Sequence, residues 1–379
     1  MKTNLKKLLY SGVTLMSLGV LAACSTASSS TTTSSSVTTS QSATGSNNST
    51  TSNSSSSSID WSALPTTEVT LSNDGLKITE GGTYILTGST TAGVTVETDA
   101  NVRIILAGVD ISSSDNAAIN VIKADNVELE IKDGTSNTVK DTSNHSDTNI
   151  EGAIHVEADL TITGNGNLTV EGNFQDGIVS TDDLVINASN IKVTAVDDGI
   201  RGKDSLTING GTINVTAGGD GIKSTNDTDT TKGYTRITGG DITVKAGDDG
   251  IKAETSLTID GGTITVPESL EALEGTNITI NGGTLDVYGS DDAINAASTT
   301  SSDIFIKVTG GDLKVAVGSG DTDAFDANGD IYISGGTIDV TAPTSAFDFD
   351  GTAELTGGTV RVNGEQISQI VATGPGARW

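Results

Sequence analysis

The sequence predicts an all-β chain wound as a right-handed, single-stranded parallel β-helix, a solenoid with coils of about 21–22 residues. Three observations carry that expectation. First, a short phrase recurs: one or two acidic residues, a tiny residue, then a bulky apolar one. It reads Asp176-Gly177-Ile178, Asp197-Asp198-Gly199-Ile200, Asp220-Gly221-Ile222 and Asp248-Asp249-Gly250-Ile251. It continues as Glu271-Ala272-Leu273, Asp291-Asp292-Ala293-Ile294 and Asp323-Ala324-Phe325, and fades at Ser345-Ala346-Phe347. Second, a partner phrase, apolar-x-apolar-x-Gly-Gly-x-apolar-x-Val, recurs between 206 and 362. Third, apolar residues alternate within each copy, as strands require, and no helical spacing appears. Short strands broken by Gly, Asn and Asp turns, in a rising spiral, stack equivalent side chains in columns about 4.8 Å apart. Crossovers of this kind are expected to be right-handed.

Composition fits. The 379 residues carry a formal net charge of −29, 46 Gly and only 3% aromatics. Such a chain suits a thin core of Ile, Val and Leu ladders. Its acidity argues against nucleic acid and anionic membrane surfaces as partners. The single cysteine, Cys24, leaves no disulfide and no cysteine metal site within the chain.

The segments follow in order. Lys2, Lys6 and Lys7 precede an apolar run to Ala23, so residues 1–23 read as a signal peptide. Leu21-Ala22-Ala23-Cys24 resembles a bacterial lipobox, which makes Cys24 a lipidation site and the only link to a membrane. Residues 24–58 are Ser/Thr-rich and read as a flexible tether. The expected location is the outer face of the bacterial cell membrane, reaching into the cell wall. Residues 59–379 form the β-helix domain: irregular coils and an N-terminal cap to 150, regular coils over 151–365, and a C-terminal cap from 366 in which Trp379 could cover the last coil. A polar loop, Ser136 to Asn149, holds His145; His145 and His155 read as bland surface or turn residues. Two insertions, Thr225 to Gly233 and Ala296 to Asp303, are expected beside a binding face.

The acidic position is a ladder. Asp favours turns before Gly, but Asn serves such turns equally and never replaces Asp between Asp176 and Asp323. Carboxylates one coil apart repel by about 3–4 kcal/mol at an effective dielectric near 20. Repeating that cost favours a compensating cation. Doubled carboxylates supply oxygens for Ca2+, which takes six to eight. The candidate metal ligands are Asp176, Asp197, Asp198, Asp220, Asp248, Asp249, Glu271, Asp291, Asp292 and Asp323. Two residues past each small residue stand Arg201, Lys223 and Lys252, turning into Glu274, Asn295, Asp326 and Asp348. These cations either neutralise neighbouring carboxylates or grip the carboxylates of a ligand.

Gly82 to Gly88, Val102 to Gly108, Asp176-Gly177-Ile178, Asp198 to Asp204 and Gly219 to Ser224 resemble a family of bacterial carbohydrate-binding β-helix surface proteins related in fold to pectate lyases. The resemblance covers nearly all of residues 65 to 365. It implies bound Ca2+ and affinity for acidic plant polysaccharide such as polygalacturonate, with cellulose as a further ligand. On this reading the chain is a monomeric, non-catalytic, Ca2+-dependent binder. Two alternatives stand beside it. One is a Ca2+-dependent polysaccharide lyase with Lys223 or Lys252 as base. The other is a structural or adhesive stalk.

Overall fold

The computed structural model describes residues 59–373, apart from 188, 299, 300 and 321. The signal segment, Cys24, the tether and Trp379 lie outside the described residues. Among the described residues a single 3-10 turn, Trp61–Ala63, precedes 34 strands, and no helix is long and apolar enough to cross a membrane.

Each regular coil contributes three strands, as in Asp176–Ser180, Asp183–Ile186 and Asn190–Ala195. Each strand pairs in parallel with its equivalent one coil on, giving three faces. The apolar column of the first face runs Ile178, Ile200, Ile222, Ile251, Leu273, Ile294, Phe325 and Phe347 in unbroken register. All of these are buried, and the two phenylalanine rings stack with centroids 5.2 Å apart. Inward residues of the other two faces meet them, so a narrow core fills with β-branched side chains that suit a pleated surface.

The glycines have two distinct causes. The second Gly of each Gly-Gly pair turns the corner into the third face with positive φ, as at Gly211 (103°), Gly240 (108°) and Gly262 (97°), a region that glycine alone enters freely. The Gly of the acidic phrase is small for want of room. A Cβ on Gly221 would lie 2.1 Å from Val244 Cγ1 and 2.6 Å from the Gly250 carbonyl oxygen. From Ala272 onward alanine fills this column and is itself buried.

The irregular first coils already share the parallel register, which begins with Thr66 opposite Thr83. At the other end the chain reverses: Glu365–Ile367 runs antiparallel to Thr359–Val362. Thr373 then bonds the Phe347 carbonyl through its N–H at 3.0 Å and accepts the Ala346 N–H at 3.0 Å.

Gly221→Ala is expected to destabilise the fold by about 1–3 kcal/mol through overpacking, read as a lower midpoint in urea. A variant as stable as the parent would show that the neighbouring column gives way.

Candidate functional site

The acidic phrase is the turn that leads into the first face. Its ladder carboxylates are buried: Asp176, Asp198, Asp220 and Asp249 are between 1% and 6% exposed. Each carboxylate bonds the coil above it. Asp176 Oδ1 accepts the Asp198 N–H at 3.1 Å, Asp198 Oδ1 that of Asp220 at 2.9 Å, and Asp220 Oδ1 that of Asp249 at 2.9 Å. The second oxygen faces a cation. Arg201 bonds Asp176 Oδ2 at 2.7 Å and also Glu151; Lys223 bonds Asp198 and Asp220, the latter at 2.9 Å; Lys252 bonds Asp249 at 2.7 Å and also Glu274. This double task explains why the ladder takes Asp and not Asn. An amide has one acceptor and would turn its NH2 toward the ammonium.

Arg201, Lys223 and Lys252 therefore lie inside the ladder, 18–25% exposed at the side chain, each gripped by two carboxylates. Burial alone would lower the Lys223 and Lys252 pKa values, but their carboxylate partners outweigh it and hold both ammonium groups above their ordinary value.

The ladder changes character after Asp249. Asp249 Oδ1 is buried and accepts no backbone N–H from the next coil, because Glu271 does not continue the bond that Asp220 makes; the Glu271 and Glu274 carboxyls face it instead. Here Asp249, Glu271 and Glu274 bring carboxylate oxygens within 4.8 Å of one another. Burial, then the adjoining Asp249 carboxyl, pushes Glu271 and Glu274 well above the usual carboxylate range. Further on, the basic column is acidic. Burial, then Asp292 and Asp323, lifts Asp326 to about 7, and burial lifts Asp292 to about 6. Asp292 Oδ1 accepts the Asp323 N–H at 2.7 Å, so the backbone bridge resumes without the cation.

Two other groups of three close in the same way: Asp176 with Asp197 and Asp198, and Asp220 with Asp248 and Asp249. In the first, a Cβ on Gly219 would come within 2.4 Å of Asp197 Oδ1 and 2.8 Å of Asp198 Oδ1, so glycine keeps that space open. The geometry thus joins seven of the ten expected metal ligands into clusters and adds Glu274. Asp291 is exposed, and Asp292 and Asp323 pair with each other instead. Sequence reading missed Glu151, which sits three residues before Ile154 at the offset of Asp197 from Ile200. The two histidines are buried rather than on the surface. His145 bonds Asp141 at 3.0 Å and stacks on Phe174, with ring centroids 4.3 Å apart. His155 stands one step from Val179 and two from Arg201 in the basic column, and burial lowers it to about 4.

The fold and this face define an acidic parallel β-helix whose carboxylate ladder is threaded with Arg and Lys. The chain belongs to the family described as carbohydrate-binding domain-containing proteins, whose match covers residues 72–324. A carbohydrate-binding domain-containing protein of Acetivibrio thermocellus is 33% identical over 135 residues, 34% of this chain and 47% of the relative. The match therefore spans less than half the length of that curated relative. Among solved structures, a polysaccharide lyase-like protein from C. thermocellum, studied as a gadolinium derivative, superposes with a TM-score of 0.50 at 34% identity, over 55% of this chain and 83% of that one.

Two outcomes are expected. Asp220→Asn should cost about 3 kcal/mol, the scale for breaking a buried ion pair, whereas a mere turn role would leave stability unchanged. For Asp326 the folded pKa of about 7 exceeds the ordinary aspartate value of 3.8, so the folded state holds the extra proton. The carboxyl's contribution is full below about pH 4 and is lost as pH rises to about 7. Asp326→Asn should gain stability relative to the parent across that window in paired urea melts; parallel curves would refute the shift.

Proposed function

We propose that this chain binds polysaccharide without cleaving it, on the acidic first face of the rod, with Ca2+ at the carboxylate clusters and an acidic glycan of the polygalacturonate type as the ligand. The observation that supports the cation is the crowding of three carboxyls, Asp249, Glu271 and Glu274, with oxygens within 4.8 Å of one another and both glutamates pushed well above the usual carboxylate range. Protons shared among such carboxyls hold the cluster together in the ion-free state, and a hard cation with oxygen ligands takes their place. The open space over Gly219 supports a second position at Asp176, Asp197 and Asp198. Bound there, Ca2+ would supply positive charge at the surface for uronate carboxylates. The exposed Asp197 and Asp248 would stand at the rim, while the buried ladder holds the coils in register.

The non-catalytic reading rests on the cations. A lyase needs an Arg or Lys that gives up its proton near neutral pH. Lys223 and Lys252 are each held by two carboxylates that stabilise the protonated form. A lipid on Cys24 and the Ser/Thr-rich tether would display the rod outside the cell membrane.

Titration calorimetry with CaCl2 should show heat that Glu271→Gln with Glu274→Gln reduces, leaving the heat of the Asp176, Asp197 and Asp198 position. Retention on a polygalacturonate gel should require Ca2+ and disappear with chelator. Absence of calcium heat in the parent overturns the cation; accumulation of unsaturated product overturns the non-catalytic assignment.

A further inference from the structure

The two sequence insertions bracket a cleft of about 730 Å³, a size ordinary for ligand sites. Its floor is two neighbouring coils whose strands run unbroken, Ile251–Ile259 and Leu273–Ile280, where the preceding coil breaks into Ile222–Ser224 and Tyr234–Ile237. The walls rise from the coils on either side, three coil steps or about 14 Å apart. The cleft therefore runs along the strands and crosses the rod.

Its carboxylates differ from those of the ladder. In the first wall loop Asp229 is consumed by Thr231, and Asn226 and Lys232 tie the loop to Asp204. Asp227 in that loop, Glu254 on the floor and Asp303 in the far wall line the cleft, and among the described residues their side chains have neither a hydrogen bond nor an ion pair. Tyr234 also lines the cleft, and its hydroxyl has no hydrogen bond among the described residues. Lys252, the cation of the cleft, is already bonded to Glu274. Three formal negative charges are thus left uncompensated. They do not converge on one ion: the acidic groups whose oxygens approach within 4.8 Å are the three ladder clusters, and none contains these residues. Spread charges match a ligand carrying several spaced positive charges. Threonine and serine hydroxyls between them, with one aromatic ring, suit a sugar better than a basic peptide.

We propose that this cleft is a second glycan site, taking a cationic amino-sugar segment, a glucosamine-type chain with free ammonium groups, laid across the rod. The proposal goes beyond the calcium-dependent site and does not rest on it. Each ammonium would meet one of Asp227, Glu254 or Asp303, with a ring face against Tyr234.

The test uses the full chain, with Ca2+ present and again in EDTA: binding in both states belongs to the cleft, and binding seen only in EDTA would assign the ammonium groups to the emptied ladder cluster, overturning the proposal. Calorimetry compares a glucosamine oligomer, its N-acetylated counterpart and oligolysine of equal charge. The glucosamine oligomer should bind at least tenfold more tightly than the acetylated one. Glu254→Gln and Asp227→Asn should each weaken it about fivefold, as loss of one partly exposed charge pair allows, and Tyr234→Ala should weaken it too. Asp110→Asn, an exposed acid on another part of the rod, should change nothing. Equal loss with Asp110→Asn would reduce the effect to general polyanion attraction. Equal affinity for the acetylated oligomer, or for oligolysine, would overturn the amino-sugar assignment, as would no binding at all.

Discussion

Register between neighbouring coils is the constraint on which the rest depends. Parallel pairing sets each residue directly over its equivalent, about 4.8 Å away. For apolar residues this is favourable, and the column from Ile178 to Phe347 is the result. For charged residues it is costly, because like stacks on like. The chain answers by weaving Arg201, Lys223 and Lys252 among the aspartates and by turning one oxygen of each toward the backbone of the next coil. The ladder is therefore first a device of the fold. Attraction at about 3 Å exceeds repulsion at one coil spacing, since Coulomb energy falls with distance.

Function enters where that device lapses. Past Asp249 the rung is a glutamate, the bridging bond is missing and the basic column turns acidic at Glu274. Charge that is balanced in the earlier coils is left over in the later ones. The last carboxylate cluster of the ladder adjoins the transverse cleft, and Glu274, bonded to Lys252, lines both. One stretch of the rod, framed by the two insertions, thus holds both the last ladder cluster and the cleft.

Much of this was legible in the sequence. The coil period, the alternating strands and the Asp ladder follow from residues at fixed offsets, such as Gly199, Gly221 and Gly250. The first coils were harder to read: Thr66 pairs 17 residues on with Thr83, whereas Asn126 pairs with Asp159 across an inserted loop. Unequal coil lengths hide a register that hydrogen bonds still obey. Preference for Asp over Asn was visible, but its structural cause was not. A sequence gives the identity of a carboxylate and not which N–H it meets in the next coil. His145 and His155 were misjudged for the same reason, since their burial is decided by Phe174 and by the basic column. Both insertions marked the cleft, yet nothing in their composition separates Asp227, left unbonded, from Asp229, held by Thr231.

The reversal at Glu365–Ile367 has a consequence for assembly. A spiral of parallel strands ends in a row of amide and carbonyl groups ready to template another chain. Here the third face finishes in a short strand of opposite direction, and Thr373 occupies amides of the first. An incoming rod would find those positions taken. Growth into fibres by strand addition is hindered at that edge by Glu365–Ile367 and Thr373, which lets a repetitive, β-rich molecule be crowded at high density without seeding its own polymerisation there.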